Sequence, residues 1–228
     1  MFDKMFSKKA PVQDNSVVKK QDGPILTQVE MDKMSNELIT KLKLEIGTKV
    51  YLFKKAFNDL KGVMESTVMT GEEMGGDLTA PVKLGESIDF NDFETGKPGN
   101  TSNINRVYED NGKYFVKTRT SVYELKLQEQ IDQISNELIK KYGLDVTGKD
   151  VILMKRLISQ SAESDIQVGT QLFGKLVRPV ALGQSIDLNS GGTRSNTNAV
   201  ERVYEDNNYP LKKRLIKTAT SVYEIKKS

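Results

Sequence analysis

The sequence contains no cysteine and no histidine. Without cysteine, the chain can form no disulfide, no thiolate nucleophile and no cysteine-ligated metal site. Without histidine, it lacks the most common general base and the most common metal ligand, which excludes Ser-His-Asp triads, Cys-His dyads and the usual zinc hydrolase centres. Carboxylate, lysine or tyrosine chemistry stays open. We therefore predict a protein that is not an enzyme and that uses no metal and no cofactor.

Long apolar runs are also missing. No segment reaches the roughly 18 residues of a membrane-spanning helix. Residues 1–9, MFDKMFSKK, contain no continuous apolar stretch of the kind found in secretory signals. We expect a cytoplasmic protein that has, at most, peripheral contact with a membrane.

Neither sign of charge is in large excess. The 228 residues include 34 Lys and Arg against 31 Asp and Glu, a net charge of +3. Nucleic-acid-binding proteins usually carry a stronger basic excess, so we do not expect nucleic acid as a partner. Hydrophobic residues make up 37% and charged residues 29% of the chain. This balance is typical of a globular rather than a disordered protein.

Four short motifs occur twice along the chain. SNELI stands at 35–39 and 135–139, LGESID at 84–89 and LGQSID at 182–187, RVYEDN at 106–111 and 202–207, and TSVYE at 120–124 and 220–224. The repetition predicts one unit written twice, as residues 27–126 and 127–228, after a flexible N-terminal segment of residues 1–26. The link at 125–130 holds no proline or glycine. We therefore expect the two units to be closely coupled.

Each unit is predicted to begin with an amphipathic helix. Thr27 and Glu30 have the spacing of a capping box, which starts a helix of about residues 28–45 before Gly47. Apolar residues then recur every three or four positions, the spacing of one helix face. We expect Leu38 and its counterpart Leu138 to be buried. The two stripes are Met31, Met34, Leu38 and Leu42, and Ile131, Ile134, Leu138 and Tyr142.

The remainder of each unit has the composition of antiparallel strands. Asn111 and Gly112 between strand-like runs indicate a tight hairpin. Residues 50–57 and 151–158 are too short and too apolar to separate helix from strand, although a strand is favoured. The glycine-rich segments 92–103 and 189–199 are predicted loops. The fold class is therefore α+β: two tandem copies of one helix plus a small antiparallel four- to five-stranded sheet or partly open barrel.

Candidate ligand-binding residues come from two sources. The glycine-rich segment holds Thr193, Arg194 and Ser195, and a nearby basic cluster holds Lys213 and Arg214. Backbone N–H groups of such a loop can hold an anion. The second source is the set of polar residues shared by the two copies. Identity between copies does not separate a binding site from a scaffold, and we favour the scaffold. This second set contains Thr120, Tyr123, Thr220 and Tyr223.

The N-terminal residues form a short amphipathic pattern. Its apolar members are spaced for one helix face, and its lysines lie beside or beyond that face. Such a segment can lie weakly on an anionic membrane or dock into a groove of a protein partner. The candidate docking residues are Phe2, Met5, Phe6, Lys8 and Lys9.

Two hypotheses of function follow. The first is a non-enzymatic binding or scaffold protein with two duplicated modules, which engages an unidentified protein partner and contacts a membrane weakly through its N-terminus. The alternative is a binder of a nucleotide or another anion through the glycine-rich loops. The sequence leaves the oligomeric state open.

Overall fold

The computed structural model describes residues 26–57, 70–93, 95–158, 167–206 and 213–226. The candidate docking residues Phe2, Met5, Phe6, Lys8 and Lys9 lie outside this range. The elements in chain order are α1 (Gln28–Lys41), β1 (Lys49–Phe57), β2 (Glu73–Leu78), β3 (Asp89–Asp92), β4 (Pro98–Asn100), β5 (Ile104–Asp110), β6 (Lys113–Thr118), β7 (Ser121–Leu127), α2 (Gln128–Lys141), β8 (Asp150–Ile158), β9 (Gln171–Leu176), β10 (Ser185–Ser190), β11 (Thr193–Asp206), β12 (Lys213–Thr218) and β13 (Ser221–Lys226).

The described residues form two helices and two antiparallel sheets, so the mixed helix and sheet composition is confirmed. The first sheet is open and seven-stranded, in the order β4-β3-β2-β1-β7-β6-β5. The second is a closed barrel in the order β10-β11-β12-β13-β8-β9. We call α1 with the open sheet the sheet unit, and α2 with the barrel the barrel unit. Strand β7 runs directly into α2, as the absence of proline and glycine at this link predicted.

The predicted count of four to five strands is wrong: the open sheet has seven strands and the barrel six, because β2, β4 and β9 add to the strands that the sequence indicates. β2 contains Gly75 and Gly76, which ordinarily weaken a strand. Here neighbouring backbone requires them. A Cβ atom on Gly76 would lie 1.9 Å from the carbonyl oxygen of Asn91, and one on Gly75 would lie 2.3 Å from that of Val50. The glycines therefore permit a close approach of strands rather than a loop.

One break in a strand distinguishes the open sheet from the closed barrel. Strand β11 runs unbroken over 14 residues, pairing first with β10 and then with β12, which closes the barrel. The predicted loop at 189–199 is therefore mostly strand. In the sheet unit, residues 101–103 break the equivalent path into β4 and β5, the two end strands. The short link of residues 101–103 can span at most about 14 Å. The two end strands of the open sheet therefore lie close together, so the sheet must be strongly curved.

The helix starts agree with the sequence better than the helix ends do. Thr27 and Glu30 form the predicted capping box. Helix α1 ends at Lys41 rather than near residue 45, because Lys43 adopts a positive φ of 50°. Residues 50–57 and 151–158 lie in strands β1 and β8, as favoured. Asn111 and Gly112, both with positive φ, form the predicted hairpin turn.

The predicted apolar stripe is only partly correct. Leu42 and Tyr142 are buried, but Leu38 and Leu138 are half-buried at the margin of each core, and Met34 is exposed. The reason is that serine, not leucine, lies at the closest approach between each helix and its sheet. The cores are centred instead on residues of β1 and β8, including the fully buried Leu52 and Leu153.

Ser35 and Ser135 fasten each helix to one strand. The Ser35 hydroxyl donates to the carbonyl oxygen of Val107 at 2.9 Å and accepts from its N–H at 3.2 Å. Ser135 makes the same two bonds with Val203, at 3.3 and 3.1 Å. Both serines are fully buried. Each helix therefore satisfies backbone groups that an uncovered strand edge would leave unpaired.

Replacing Ser35 or Ser135 with alanine is expected to destabilise the protein by about 1–3 kcal/mol, because a buried N–H and C=O lose their partner. Chemical denaturation measures the change. The exposed neighbours Asn36 and Asn136 provide matched controls. Their alanine variants are expected to stay within about 0.5 kcal/mol of the wild type. Serine variants that unfold at the wild-type midpoint would contradict the fastening role.

Candidate functional site

The two units meet through a buried arginine. Arg202 on β11 is 8% exposed, and its Nη1 donates to Oε1 of Glu73 on β2 at 2.5 Å. Its guanidinium lies 4.4 Å from the ring centroid of Tyr204 and 5.7 Å from that of Tyr51. Burial acts to lower the pKa of Arg202, but the charge and hydrogen bond of Glu73 outweigh burial and raise it. Arg202 is therefore permanently charged, and two tyrosine rings and one carboxylate surround its guanidinium.

Tyr51 extends this contact to the second helix. Its hydroxyl donates to Oε1 of Gln128 at 2.7 Å, and Nε2 of Gln128 donates to Asp132 at 2.7 Å. The ring of Tyr51 packs against Phe93 at 4.9 Å between centroids. Burial is the main reason that the pKa of Tyr51 rises to about 12, so the hydroxyl keeps its proton at neutral pH. Arg202, Glu73, Tyr51 and Gln128 define what we call the inter-unit interface.

A cleft of about 560 Å³ opens beside the inter-unit interface. Lys49, Tyr51 and Phe93 line it from the sheet unit, and Val200 and Arg202 from the barrel unit. The Nε atom of Arg202 is buried and, within the described part of the chain, has no hydrogen-bond partner. The Arg202 guanidinium therefore has one donor, Nη1, bound to Glu73 and another, Nε, that no described group accepts from.

A second cleft lies on the barrel unit alone. Its volume is about 630 Å³, and it is lined by Asp150, Ile152, Phe173 and the hairpin of Gly191 and Gly192. Phe173 is 60% exposed, which is unusual for so large an apolar side chain. We call this surface the Phe173 cleft.

The sheet unit carries its own arginine beside aromatic side chains. Arg106 on β5 is half-buried and lies 5.1 Å from the ring centroid of Tyr108, which stacks on Phe115 at 5.3 Å. We call these three residues the Arg106 face. Arg106 is opposite Lys117 in the sheet, and Arg202 is opposite Lys217 in the barrel. The two arginines therefore occupy equal register positions.

The buried carboxylates are engaged in ion pairs. Glu124 lies 2.6 Å from Nζ of Lys55, and Glu224 pairs with Arg156 and Lys226. Burial acts to raise the pKa of both glutamates, but the hydrogen bonds and charges of these cations outweigh it and hold each pKa below its usual value. Both stay ionised at neutral pH, so neither is suited to deliver a proton as a general acid.

Two lysines point into the interior. Lys54 and Lys155 are fully buried at equivalent positions, opposite Tyr123 and Tyr223. Burial lowers the pKa of both side chains, and the charge of Glu72 partly offsets this for Lys54. Such lysines can act as nucleophiles when substrate reaches them. These two lie at the cores of their units rather than in either cleft.

The structure does not bring the predicted anion-binding residues together. Thr193, Arg194 and Ser195 lie at the start of β11, and Lys213 and Arg214 lie opposite its end, beside Asp206 and Glu205. Roughly 40 Å of strand separates the two groups. Gly191 and Gly192 form a tight turn between Ser190 and Thr193.

The shared polar residues occupy turns and cores. Tyr123 and Tyr223 are 3% exposed and belong to the two hydrophobic cores. Thr120 and Thr220 are half-buried and share hydrogen bonds with Ser102 and Asn198. The ligand-binding role of all these residues stays a prediction.

Sequence reasoning missed the inter-unit interface, although a signal existed. Arg202 and Arg106 both open an RVYEDN motif. The motif marked the position of the arginine, but the partner lies 129 residues away in the chain.

The comparisons with known proteins found no match: no family model matches the sequence, and no curated protein and no solved structure is significantly similar. Among the described residues, no group of three or more acidic side chains is placed to hold a metal ion. No helix in the described ranges is long and apolar enough to span a membrane.

Proposed function

We propose that this protein is a non-enzymatic scaffold whose two modules are held in a fixed relation, so that they present paired surfaces to a protein partner. The observation that carries the proposal is the burial of Arg202 between the units, with Glu73 as counter-ion and Tyr51 and Tyr204 as neighbours. A charge removed from water in this way costs free energy unless its partners are fixed. The interface therefore favours one arrangement of the units over freely tethered modules.

We further propose that the two modules arose by duplication of one unit. Support comes from shared hydrogen bonds as well as from shared motifs. Thr101 and Thr197 accept from the N–H groups of Ile88 and Ile186 in the same way. The Thr118 and Thr218 hydroxyls each donate to the serine carbonyl three residues later. In this proposal the repeated residues preserve the fold, and the partner-specific surfaces differ between the copies.

A cytoplasmic location and weak membrane contact through Phe2 and Phe6 remain part of the proposal. The anion-binding alternative is less well supported, because its residues lie at the two ends of β11. A thermal-shift titration with ATP and with inorganic phosphate separates the two functions. The scaffold proposal expects an unchanged melting temperature, whereas a saturable rise would favour the anion-binding alternative.

A distance measurement tests the fixed arrangement. Because the chain has no cysteine, cysteines introduced at the exposed positions Asn36 and Asn196 can be spin-labelled specifically. We expect one narrow distance distribution in the otherwise wild-type chain. The same labels in an Arg202→Ala background should give a broader distribution. A broad distribution before that substitution would contradict a scaffold with a fixed arrangement.

A further inference from the structure

The inter-unit interface joins different surfaces of the two units. The barrel unit contributes Arg202 and Tyr204 from β11, and the sheet unit contributes Tyr51 from β1 and Glu73 from β2. Such a contact is heterologous, because the partners use unlike patches. When both patches recur on a molecule, a heterologous contact can repeat and generate a ring or a filament.

Both patches do recur: the receiving patch includes the exposed Phe173, and the supplying patch is half-buried. Tyr51 lies between Lys126 of β7 and Gly75 of β2. Ile152 lies between Lys226 of β13 and Phe173 of β9, at the same register position. The Phe173 cleft is thus the barrel unit's counterpart of the surface that receives Arg202. The Arg106 face is the sheet unit's counterpart of the surface that supplies Arg202.

The apolar character of the receiving surface is kept although its residues change. In the sheet unit, Tyr51 and Phe93 provide the rings. In the barrel unit, Ile152 and Phe173 provide the apolar surface. The position of Glu73, opposite Phe53, is taken by Gln171, opposite Met154. Asp150 supplies a carboxylate to the Phe173 cleft, and Lys175, which lies opposite Asp150, supplies a cation, so the cleft offers one acceptor beside a charge of the opposite sign.

The order of strands in the barrel lets one chain use its Phe173 cleft and its Arg202 contact at the same time. In the closed barrel, two strands separate β8 from β11 along either path. Ile152 on β8 and Arg202 on β11 therefore lie on opposite sides of the barrel. The Phe173 cleft stays open while Arg202 is engaged with the sheet unit, and the same chain can use both contacts at once.

The helices give an independent indication. Helix α2 contacts β1 and β7 of the sheet unit, and its Ile131 is buried outside the barrel core cluster. The matching residue of α1, Met31, is only half-buried. Met34 on α1 is 50% exposed, whereas the matching Ile134 on α2 is half-buried. Helix α1 therefore shows apolar surface where α2 is covered.

We propose that copies of this chain associate head to tail, with the Arg106 face and α1 of one copy seated against the Phe173 cleft of the next. The partner is thus a second copy of this chain, and the inference rests on the proposed scaffold function. Each added contact uses the surfaces that match the inter-unit interface, with Arg106 in place of Arg202, Ile152 in place of Tyr51 and Gln171 in place of Glu73.

Sedimentation velocity of the full chain over a range of concentrations tests the proposal. We expect the wild type to form species larger than a dimer as concentration rises. Phe173→Asp and Arg106→Glu should each weaken association by about tenfold or more, as is typical when a central aromatic or arginine is lost. Val168→Asp, at a similarly exposed apolar site, and Lys140→Glu are the matched controls and should associate like the wild type.

Mixing the two disabled variants gives the sharpest result. The Phe173→Asp chain keeps its Arg106 face, and the Arg106→Glu chain keeps its Phe173 cleft. At a concentration where the wild type associates but neither variant does so alone, we expect the mixture to form a one-to-one dimer that grows no further. A mixture that stays monomeric, or a wild type that is monomeric at every concentration, overturns the proposal. A narrow spin-label distance in that monomer would leave the scaffold function standing, whereas a broad one would remove both.

Discussion

Arg202→Ala is expected to destabilise the protein by about 3 kcal/mol. Removing one partner of a buried ion pair typically costs roughly 3–5 kcal/mol, because the other charge is left uncompensated. The side chain of Glu73 remains 26% exposed, so water recovers part of the loss, and we expect the lower end of this range. The guanidinium also leaves the rings of Tyr51 and Tyr204. Urea denaturation followed by far-ultraviolet circular dichroism measures the change.

Arg106→Ala is the matched control for this substitution. Arg106 opens the same motif and occupies the same register position, but its described contacts are confined to the sheet unit. In dilute protein, where head-to-tail association is absent, we expect a cost of about 1 kcal/mol or less. Equal destabilisation by the two substitutions would show that Arg202 acts within its own strand pair rather than between the units.

Leu153→Ala is expected to cost about 2–5 kcal/mol, as is typical when a fully buried leucine is truncated in a packed core. Leu153 lies in the barrel core, and Leu52 is its counterpart in the sheet unit; both are fully buried. Because the interface couples the units, either substitution should lower one shared unfolding transition. Differential scanning calorimetry detects the number of transitions.

The control for this pair is Leu153→Ala combined with Arg202→Ala. Without the interface, the sheet unit should unfold separately from the weakened barrel, and two transitions should replace one. A single transition in the combined variant would mean that contacts other than Arg202 couple the units. Two transitions in the wild type would mean that the units are not coupled.

Local signals in the sequence predicted local structure well. Thr27 and Glu30 marked the start of α1, and Asn111 with Gly112 marked a hairpin, because capping and turn formation depend on residues close together in the chain. Strand β2 was missed for the opposite reason. Its glycines indicate a turn by themselves, and only the approach of β3 to Gly76 explains them.

The closure of the barrel also depended on distant contacts. Residues 189–199 have the composition of a loop, yet pairing with β10 makes them strand. The apolar stripe placed Leu38 in the core because a leucine is larger and more hydrophobic than the serine three residues before it. Hydrogen bonds from Ser35 to Val107, 72 residues away, set the actual position of the helix. No local pattern encodes such a pair.

The candidate site was hidden for a related reason. A repeated motif identifies residues that recur along the chain, whereas the inter-unit interface depends on how the two units differ in the exposure of those residues. Arg106 and Arg202 are identical in type and register, but only Arg202 meets Glu73. Recognising that difference required the position of one unit against the other.

The central claim is that Arg202 and Glu73 fix one unit against the other, and a double-mutant cycle tests it most directly. The free energy of unfolding is measured for the wild type, Arg202→Ala, Glu73→Ala and the double variant, and a parallel cycle pairs Arg106 with Glu73. We expect a coupling of about 1–3 kcal/mol for Arg202 with Glu73, and less than about 0.5 kcal/mol for Arg106 with Glu73. A coupling between Arg202 and Glu73 no larger than that of the parallel cycle would contradict the account.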